Sequence, residues 1–357
     1  MGFRSFLVRR ILIAFLMLFV VMGLNYVLFF VMPGNPATLF VNPIRGGSAA
    51  SMKQYIAELE ARWGFNKPPE VRFLIYIQNM LTMNFGDSLV SDRPIIDDLF
   101  GRLWSTIELM GGSTILAMLI GISLGVLVAY KRGGKFDSGM VTLSLITFSL
   151  PVFWIGLVLI LIFVTDLKWF PFGNSYPFNW VLPGQWPVAY TVSTASGSAW
   201  SGNAVFSINS GGVSTLLYGY VSHLMLPLTT LTLFSYGGYL LLTRATMIEA
   251  LTEDYISTAK AKGVPERNVI FRHALKNASL PLITSAALAF GFMISGAIIT
   301  EGVFAWPGMG RWIFDSINNN DYSVLQAVFY IIAVLVIIAN IIADVLYGII
   351  DPRIKYG

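Results

Sequence analysis

Six long apolar stretches constrain this chain more than any other feature of its sequence. A helix that crosses the hydrocarbon of a bilayer needs about 20 apolar residues. Six windows reach that length, at 11–32, 105–130, 138–164, 222–243, 278–300 and 323–350. Charged residues make up 12% of the chain, about half of their usual share in a soluble globular protein. The sequence therefore predicts an all-α integral membrane protein with six transmembrane helices.

Basic residues are spread unevenly over the segments between these windows. If the N-terminus is placed inside, the inside segments hold 14 of the 23 Lys and Arg residues and six acids, a net charge of +8. The longer outside segments hold nine basic and 11 acidic residues. Cytoplasmic loops carry such an excess of Lys and Arg. We therefore expect a multi-pass protein of the cell membrane with both termini in the cytoplasm.

The first window has an alternative interpretation as a cleaved signal peptide. Arg4, Arg9 and Arg10 precede it, as basic residues precede the apolar core of a signal peptide. Its apolar run is longer than such a core, however, and no A-x-A cleavage pattern follows. A first transmembrane helix is the interpretation that we adopt.

The inside segment at 244–279 carries the signals of a helix, a sharp turn and a second helix. Asp254 is a suitable cap for the first helix, and Gly263 is suited to end it because glycine adopts the left-handed conformation freely. Pro265 then begins the helix that leads into the fifth window. The small residues Ala259 and Ala261 would let the first helix fit closely in a partner's cleft. An ordinary solvated linker is the alternative.

Several kinds of chemistry are missing from the sequence. The chain has no Cys, and its Gly134-Lys135 pair lacks the other residues of a phosphate-binding loop. Its two histidines, His223 and His273, fall on opposite sides of the predicted membrane. We therefore predict no catalytic residues, no metal site and no cofactor in this chain. The acids within the windows, Glu108 and Asp344, are interpreted as facing an interface or a water-filled vestibule rather than as part of a proton relay.

Short motifs along nearly the whole chain resemble a known family. The chain is similar to the first permease of the dipeptide/oligopeptide-type ABC importers, the peptide/nickel family. The stretches that carry the likeness are 33–36 (PGNP, with Asn35 in place of the usual Asp), 91–95, 106–109, 121–125, 254–263, 273–277, 301–310, 321–322 and 351–354. The segment 254–263 resembles the family's cytoplasmic EAA loop. The Leu-Pro pair that the general EAA pattern has near 275–276 is Leu275-Lys276 here, and Leu280-Pro281 follows later. Peptide-type permeases share this variant.

The resemblance implies the type I ABC importer permease fold, with a small external helical lobe and a cytoplasmic coupling helix. It divides the chain into an N-terminal tail and first span (1–32), the external lobe (33–104), a permease core (105–350) and a cytoplasmic tail (351–357). Within the lobe, the sequence itself predicts helices over 51–63, after Pro68 and after Pro94. Within the core the resemblance implies an external insertion at about 184–215 and the EAA loop at 244–279. The middle of the insertion is rich in Ser, Gly and Thr, which favours loops or short hairpins over helix.

The resemblance also implies partners and roles. The partners would be a second homologous permease, two ATPase subunits that bind ATP and Mg²⁺, and an external solute-binding protein. The residues expected to couple the ATPases to the pore are Asp254, Tyr255, Ala259, Ala261, Lys262 and Gly263. An external gate or docking surface is expected at Trp306, Pro307 and Gly308.

Alternatives remain open for the substrate and for the function class. The resemblance favours di- and oligopeptides, and oligosaccharides are the second interpretation because the polar insertion is suited to a sugar-binding partner. Nickel is disfavoured because the chain has no Cys and no pair of histidines. A self-contained channel or secondary carrier would need mid-span charges or inverted repeats, which the sequence lacks. A membrane enzyme would need a cluster of catalytic side chains, which is also missing.

Overall fold

The computed structural model describes residues 3–31, 67–88, 90–91, 93–173, 180–181, 191–192, 212–293 and 297–350. Almost all of these residues are helical. The α-helices are α1 (Phe3–Tyr26), α2 (Pro69–Leu81), α3 (Ile95–Tyr130), α4 (Lys135–Ser149), α5 (Val152–Ile160), α6 (Gly212–Leu251), α7 (Asp254–Ala261), α8 (Glu266–Asn268), α9 (Leu275–Met293), α10 (Ile298–Val303), α11 (Met309–Asn318) and α12 (Tyr322–Ile350). Three π-helical segments, Val27–Val31, Leu161–Asp166 and Val269–Ala274, extend or join them.

Helix α3 is longer than the sequence suggested. The sequence predicted a short external helix after Pro94 and a separate span from residue 105, whereas the structure has one helix of 36 residues. Pro94 occupies its N-cap, where the missing N–H costs nothing. Ile95 and Leu99 in its first turns are buried in an apolar cluster with residues of α1, α2, α11 and α12. Because α3 passes through residues 104 and 105, the predicted external lobe and the predicted core share one helix.

Helices α3 and α6 pack at very short distance along a glycine seam. A Cβ atom on Gly121 would lie 2.6 Å from the carbonyl oxygen of Tyr236, and one on Gly125 would lie 2.5 Å from Cβ of Thr243. Real Cβ atoms do not approach so closely, so only glycine allows this packing. The G-x-x-x-G pattern therefore joins two helices of the same chain.

The third predicted span is bent. The sequence predicted one helix over 138–164, and the structure instead has α4 and α5 meeting at 97°. Pro151 lies at the bend as the N-cap of α5, where it cannot continue the hydrogen bonding of α4. The other two prolines of the spans, Pro227 and Pro281, lie inside α6 and α9. That this bent pair forms one transmembrane span stays a prediction.

Length and composition allow five of the predicted spans among the described residues. Four helices, α1, α3, α6 and α12, are long and apolar enough to cross a membrane, and the bent pair could make a fifth. The window predicted at 278–300 corresponds to α9, which ends at Met293 before the separate helix α10 begins. The count of six stays a prediction.

One apolar cluster joins the first helices of the chain to the last ones. Residues of α1, α2, α3, α11 and α12 pack together there, among them Tyr26, Tyr76, Leu99, Trp312 and Val328. The start of α2 at Pro69 agrees with the helix predicted after Pro68. The helix predicted over residues 51–63 lies outside the described residues. So does most of the predicted insertion. Thr191–Val192, within it, pairs antiparallel with Trp180–Val181, which precedes it.

Candidate coupling helix and outer loop

The N-cap residue of α7 lies one position before the residue that the sequence predicted. Glu253, with an extended backbone, is the N-cap residue, and Asp254 is the first residue of the helix. The Glu253 side chain makes no capping hydrogen bond. The prediction of Asp254 as the cap is therefore wrong. The Asp254 carboxylate lies in the first turn of α7, where it interacts favourably with the positive end of the helix dipole.

The predicted turn after α7 is confirmed. Gly263 has φ +71°, the left-handed conformation that glycine adopts without strain. Its N–H donates to the Lys260 carbonyl at 3.0 Å, and the Val264 N–H donates to the Ala259 carbonyl at 3.2 Å. These two bonds form a Schellman motif, which closes the helix and reverses the chain. Pro265 then caps α8, which continues through a π-helical segment into α9.

The two faces of α7 have different surroundings. Ile256 and Ala259 are buried in an apolar cluster of the same chain, which includes Met247 and Val269. The opposite face is exposed and consists of Asp254, Ser257, Thr258, Lys260, Ala261, Lys262 and Gly263. The expectation that Ala259 contacts a partner's cleft is therefore wrong. Ala259 instead lets α7 lie close to the helices that lead into the membrane, and Ala261 is the small residue that faces outward.

Tyr255 lies between these faces. Its ring is half-buried beside the same cluster, and its hydroxyl is buried without a hydrogen-bond partner among the described residues. A buried hydroxyl without a partner is costly. All six predicted coupling residues lie in α7 or in the turn that ends it. Their predicted role in coupling depends on a partner.

An ion pair joins the neighbouring helices near α7. The Arg244 guanidinium on α6 donates to both carboxylate oxygens of Asp137 on α4, at 2.6 and 2.9 Å. The Gly133 N–H, in the turn before α4, donates to the same carboxylate at 2.9 Å. Such a two-pronged pair fixes orientation as well as distance. It ties α4 to the end of α6 that leads into α7, and sequence analysis did not find it.

Near the start of α3, a buried carboxylate organises the loop between α10 and α11, which is the predicted outer loop. Glu301 is fully buried. Its oxygens accept from the Thr106 hydroxyl at 2.9 Å and from the Arg311 N–H at 2.9 Å. The Met309 N–H donates to the Thr106 oxygen at 2.8 Å. Glu301 and Thr106 thus satisfy the free N–H groups at the start of α11. Burial raises the pKa of the Glu301 carboxyl, and these donors act in the opposite direction.

Two glycines make room for that carboxylate. A Cβ atom on Gly308 would lie 2.4 Å from a carboxylate oxygen of Glu301, and one on Gly310 would lie 2.7 Å from Cα of Ile298. The first contact is with a side chain and the second is with the backbone. Gly308 and Gly310 of the sequence motif at 301–310 are therefore closely packed beside Glu301, whereas Gly302 has open space.

The predicted gate or docking residues lie mostly inside. Trp306 is fully buried, and its indole N–H donates to the Ser105 carbonyl at 2.9 Å. Gly308 is buried and Pro307 is half-buried. This chain therefore offers no surface at Trp306 for docking, because the indole holds the loop on α3. A gating role for the loop stays a prediction.

Glu108 lies beside this loop and belongs to an aromatic cluster. Its carboxylate accepts hydrogen bonds from the Trp104 indole, one turn earlier on α3, and from the Tyr220 hydroxyl on α6. The Tyr220 and Trp306 rings are 6.0 Å apart. Among the described residues, no group of three His, Cys, Asp or Glu side chains is placed to hold a metal ion.

Comparison with known proteins decides the family. A family model described as "Binding-protein-dependent transport system inner membrane component" matches residues 121–356, and a second, its N-terminal counterpart, matches residues 3–110. The chain belongs to this family. It is a permease subunit rather than an enzyme, and it has the fold of type I importer permeases.

Full-length relatives agree with the family. The permease is 36% identical to the dipeptide transport system permease protein DppB of Alkalihalophilus pseudofirmus and 35% identical to the oligopeptide transport system permease protein AppB of Bacillus subtilis. It is 32% identical to the glutathione transport system permease protein GsiC of Salmonella choleraesuis. Each match covers 99% of both chains. The resemblance to peptide-type permeases is therefore confirmed.

Proposed function

We propose that this chain is one of two pore-forming subunits of an importer that moves di- and oligopeptides into the cell. The main support for the mechanism is that one face of α7 packs on its own chain while the other face is exposed. The substrate class is supported by the names of the relatives, which refer to dipeptides, oligopeptides and glutathione. No feature of the described residues favours oligosaccharides.

The partners follow from what the chain lacks. It has no phosphate-binding loop, so ATP and Mg²⁺ would be bound by two ATPase subunits beneath the membrane. A second homologous permease would complete the pore, and a solute-binding protein would deliver the peptide outside. The charge asymmetry supports a cytoplasmic location for both termini and for α7.

The exposed face of α7 would receive the movement of an ATPase subunit. Its closed turn at Gly263 and its anchoring through Ile256 and Ala259 make it a short rigid lever. The apolar cluster contains residues of both α6 and the segment leading into α9, so a displacement of α7 reaches two helices together. The pair between Arg244 and Asp137 would pass the same displacement to α4.

Reconstitution by omission tests this function. The permease, the second permease, both ATPases and the binding protein are placed in proteoliposomes, and uptake of labelled trialanine is measured with each component left out in turn. We expect uptake from the complete set with ATP, and background uptake when any one component is missing. Uptake by this chain alone, or uptake of oligosaccharides and no peptide by the complete set, would contradict the proposal.

A further inference from the structure

The cluster around Glu108 is composed like a site for an organic ammonium group. A carboxylate supplies charge and hydrogen-bond acceptors, and neutral donors beside it can fix its position without cancelling that charge. Trp104 and Tyr220 donate to the carboxylate, and Trp306 lies behind Tyr220. An ionised carboxylate offers about four lone-pair sites, so two remain after these donors are counted.

The charge of Glu108 is not neutralised within the described chain. None of the ion pairs among the described residues includes Glu108, whose donors are two neutral groups. The side chain is half-buried, while Trp104 is 46% exposed. A bound cation would therefore find an available negative charge with an open approach.

The position along α3 places this charge at the membrane boundary. Glu108 precedes Tyr130, the last residue of α3, by 22 residues, which is about 33 Å of helix. The hydrocarbon core is about 30 Å thick. With Lys131 at the cytoplasmic end, Glu108 lies at the outer surface, beside the Trp306 loop. Aromatic residues at such a boundary are common, but a carboxylate held by two of them is not explained by an aromatic belt. Ionisable groups there face water or a partner.

We propose that Glu108, Trp104 and Tyr220 form a binding site for a primary ammonium group at the outer mouth, and that its ligand is the amino terminus of an incoming peptide. This assignment rests on the proposed peptide function. No covalent step is involved. The two free lone-pair positions of Glu108 accept N–H bonds from the ammonium group, and the donors of Trp104 and Tyr220 hold the carboxylate in position.

Direct binding tests the proposal. The assembled complex without its binding protein is placed in nanodiscs of phosphatidylglycerol, whose headgroup carries no amine. Binding of trialanine and of N-acetyl-trialanine is measured by equilibrium dialysis. We expect trialanine to bind at least about tenfold more tightly than its acetylated form, since a hydrogen-bonded charge is lost on acetylation. Absence of saturable trialanine binding, or equal binding of the two peptides, overturns the site.

Variants locate the binding. Glu108→Gln should weaken trialanine binding by about tenfold or more, and Glu108→Asp, which keeps the charge, should retain part of it. Glu70→Gln makes the same change at an exposed position of α2 and should leave binding unaltered. Unchanged binding in Glu108→Gln, with the complex intact by gel filtration, overturns the assignment.

Two further arms separate the sources of failure. In nanodiscs of phosphatidylethanolamine, trialanine should bind as before, and its displacement there would assign the site to a lipid headgroup and overturn the peptide assignment. In proteoliposomes with the binding protein, Glu108→Gln should reduce trialanine uptake. Uptake that equals that of the wild type refutes the site but leaves the importer function intact, whereas absence of peptide uptake by the wild-type complex refutes the function itself.

Discussion

The loop between α10 and α11, near the start of α3, and the helix α7, near the end of α3, are both short, and glycine is essential to the geometry of both. In the outer loop, the buried Glu301 carboxylate is surrounded by donors of the same chain. In α7, the inner face is packed on its own chain and the outer face is exposed. The outer loop is thus completed by this chain, whereas α7 is only half covered and has a face ready for a partner.

The largest effect on stability is expected from a side chain added at Gly310, at the start of α11 beside the outer loop. Gly310→Ala places a Cβ atom 2.7 Å from the Ile298 backbone, which cannot move aside as a flexible side chain would. Overpacking of this kind costs about 1–3 kcal/mol. We expect a lower melting temperature of the purified protein and a lower yield of assembled complex. Gly302→Ala, in the neighbouring helix α10 and with no atom within 4 Å, is the matched control. Equal melting temperatures for the two variants would contradict the packing argument.

The next largest effect separates stability from transport at α7. Ala261→Glu changes only the exposed face of α7, so the permease should fold normally. Its contact with the ATPase should be weakened, and peptide uptake should fall sharply. Ala259→Glu instead forces a charge into the apolar cluster, which is costly without a partner. We expect it to reduce folded protein before any effect on coupling is seen. Thermal melting and uptake, measured side by side, check this division, and identical behaviour of the two variants would argue against it.

The turn that ends α7 has a separate test. Gly263→Val forces a branched residue into the left-handed conformation at a cost of about 1–2 kcal/mol. We expect reduced uptake with the complex still assembled, because the change reorients α7 without entering the membrane. Gly238→Ala, at a site with no atom within 4 Å, is a control for glycine replacement as such. Wild-type uptake in Gly263→Val would show that the turn geometry is dispensable.

A smaller effect is expected at the pair between Arg244 and Asp137. Asp137→Ala leaves the guanidinium without its two acceptors, which we expect to reduce uptake several-fold at unchanged peptide affinity of the binding protein. Asp137→Arg combined with Arg244→Asp should recover part of the loss, because attraction is restored with reversed sign. If the double variant is folded but its peptide uptake does not recover, the pair does not transmit movement.

The smallest effect concerns pH. Burial raises the pKa of Glu301 above its ordinary value of 4.5, so the folded protein binds this proton more tightly than the unfolded chain does. Stability should therefore fall as pH rises from 4.5 towards the raised pKa. Glu301→Gln cannot ionise, and its melting temperature relative to the wild type should increase over that interval. A difference that is constant with pH would contradict the raised pKa.

Local signals predicted the geometry of α7, whereas distant contacts were not predictable. Gly263 and Pro265 act through their own backbones, so their positions in the sequence fix the turn. Glu301 is held by Thr106, 195 residues away, and no local pattern links the two. The spacing of Ile256 and Ala259, three residues apart with both apolar, was a usable sign that Ala259 faces inward. Pro151 marks a break in the helix, but neither the angle of 97° nor the continuity of α3 through residue 105 follows from composition.

Site-specific crosslinking tests most directly whether the exposed face of α7 contacts the ATPase. The chain has no native cysteine, so a photoactivatable group can be attached at one introduced position. In the assembled complex, Ser257→Cys and Ala261→Cys should form a covalent adduct with an ATPase subunit. Ala259→Cys, on the buried face, should form none. The account is contradicted if the two exposed positions fail to crosslink in an intact complex, or if all three positions crosslink equally.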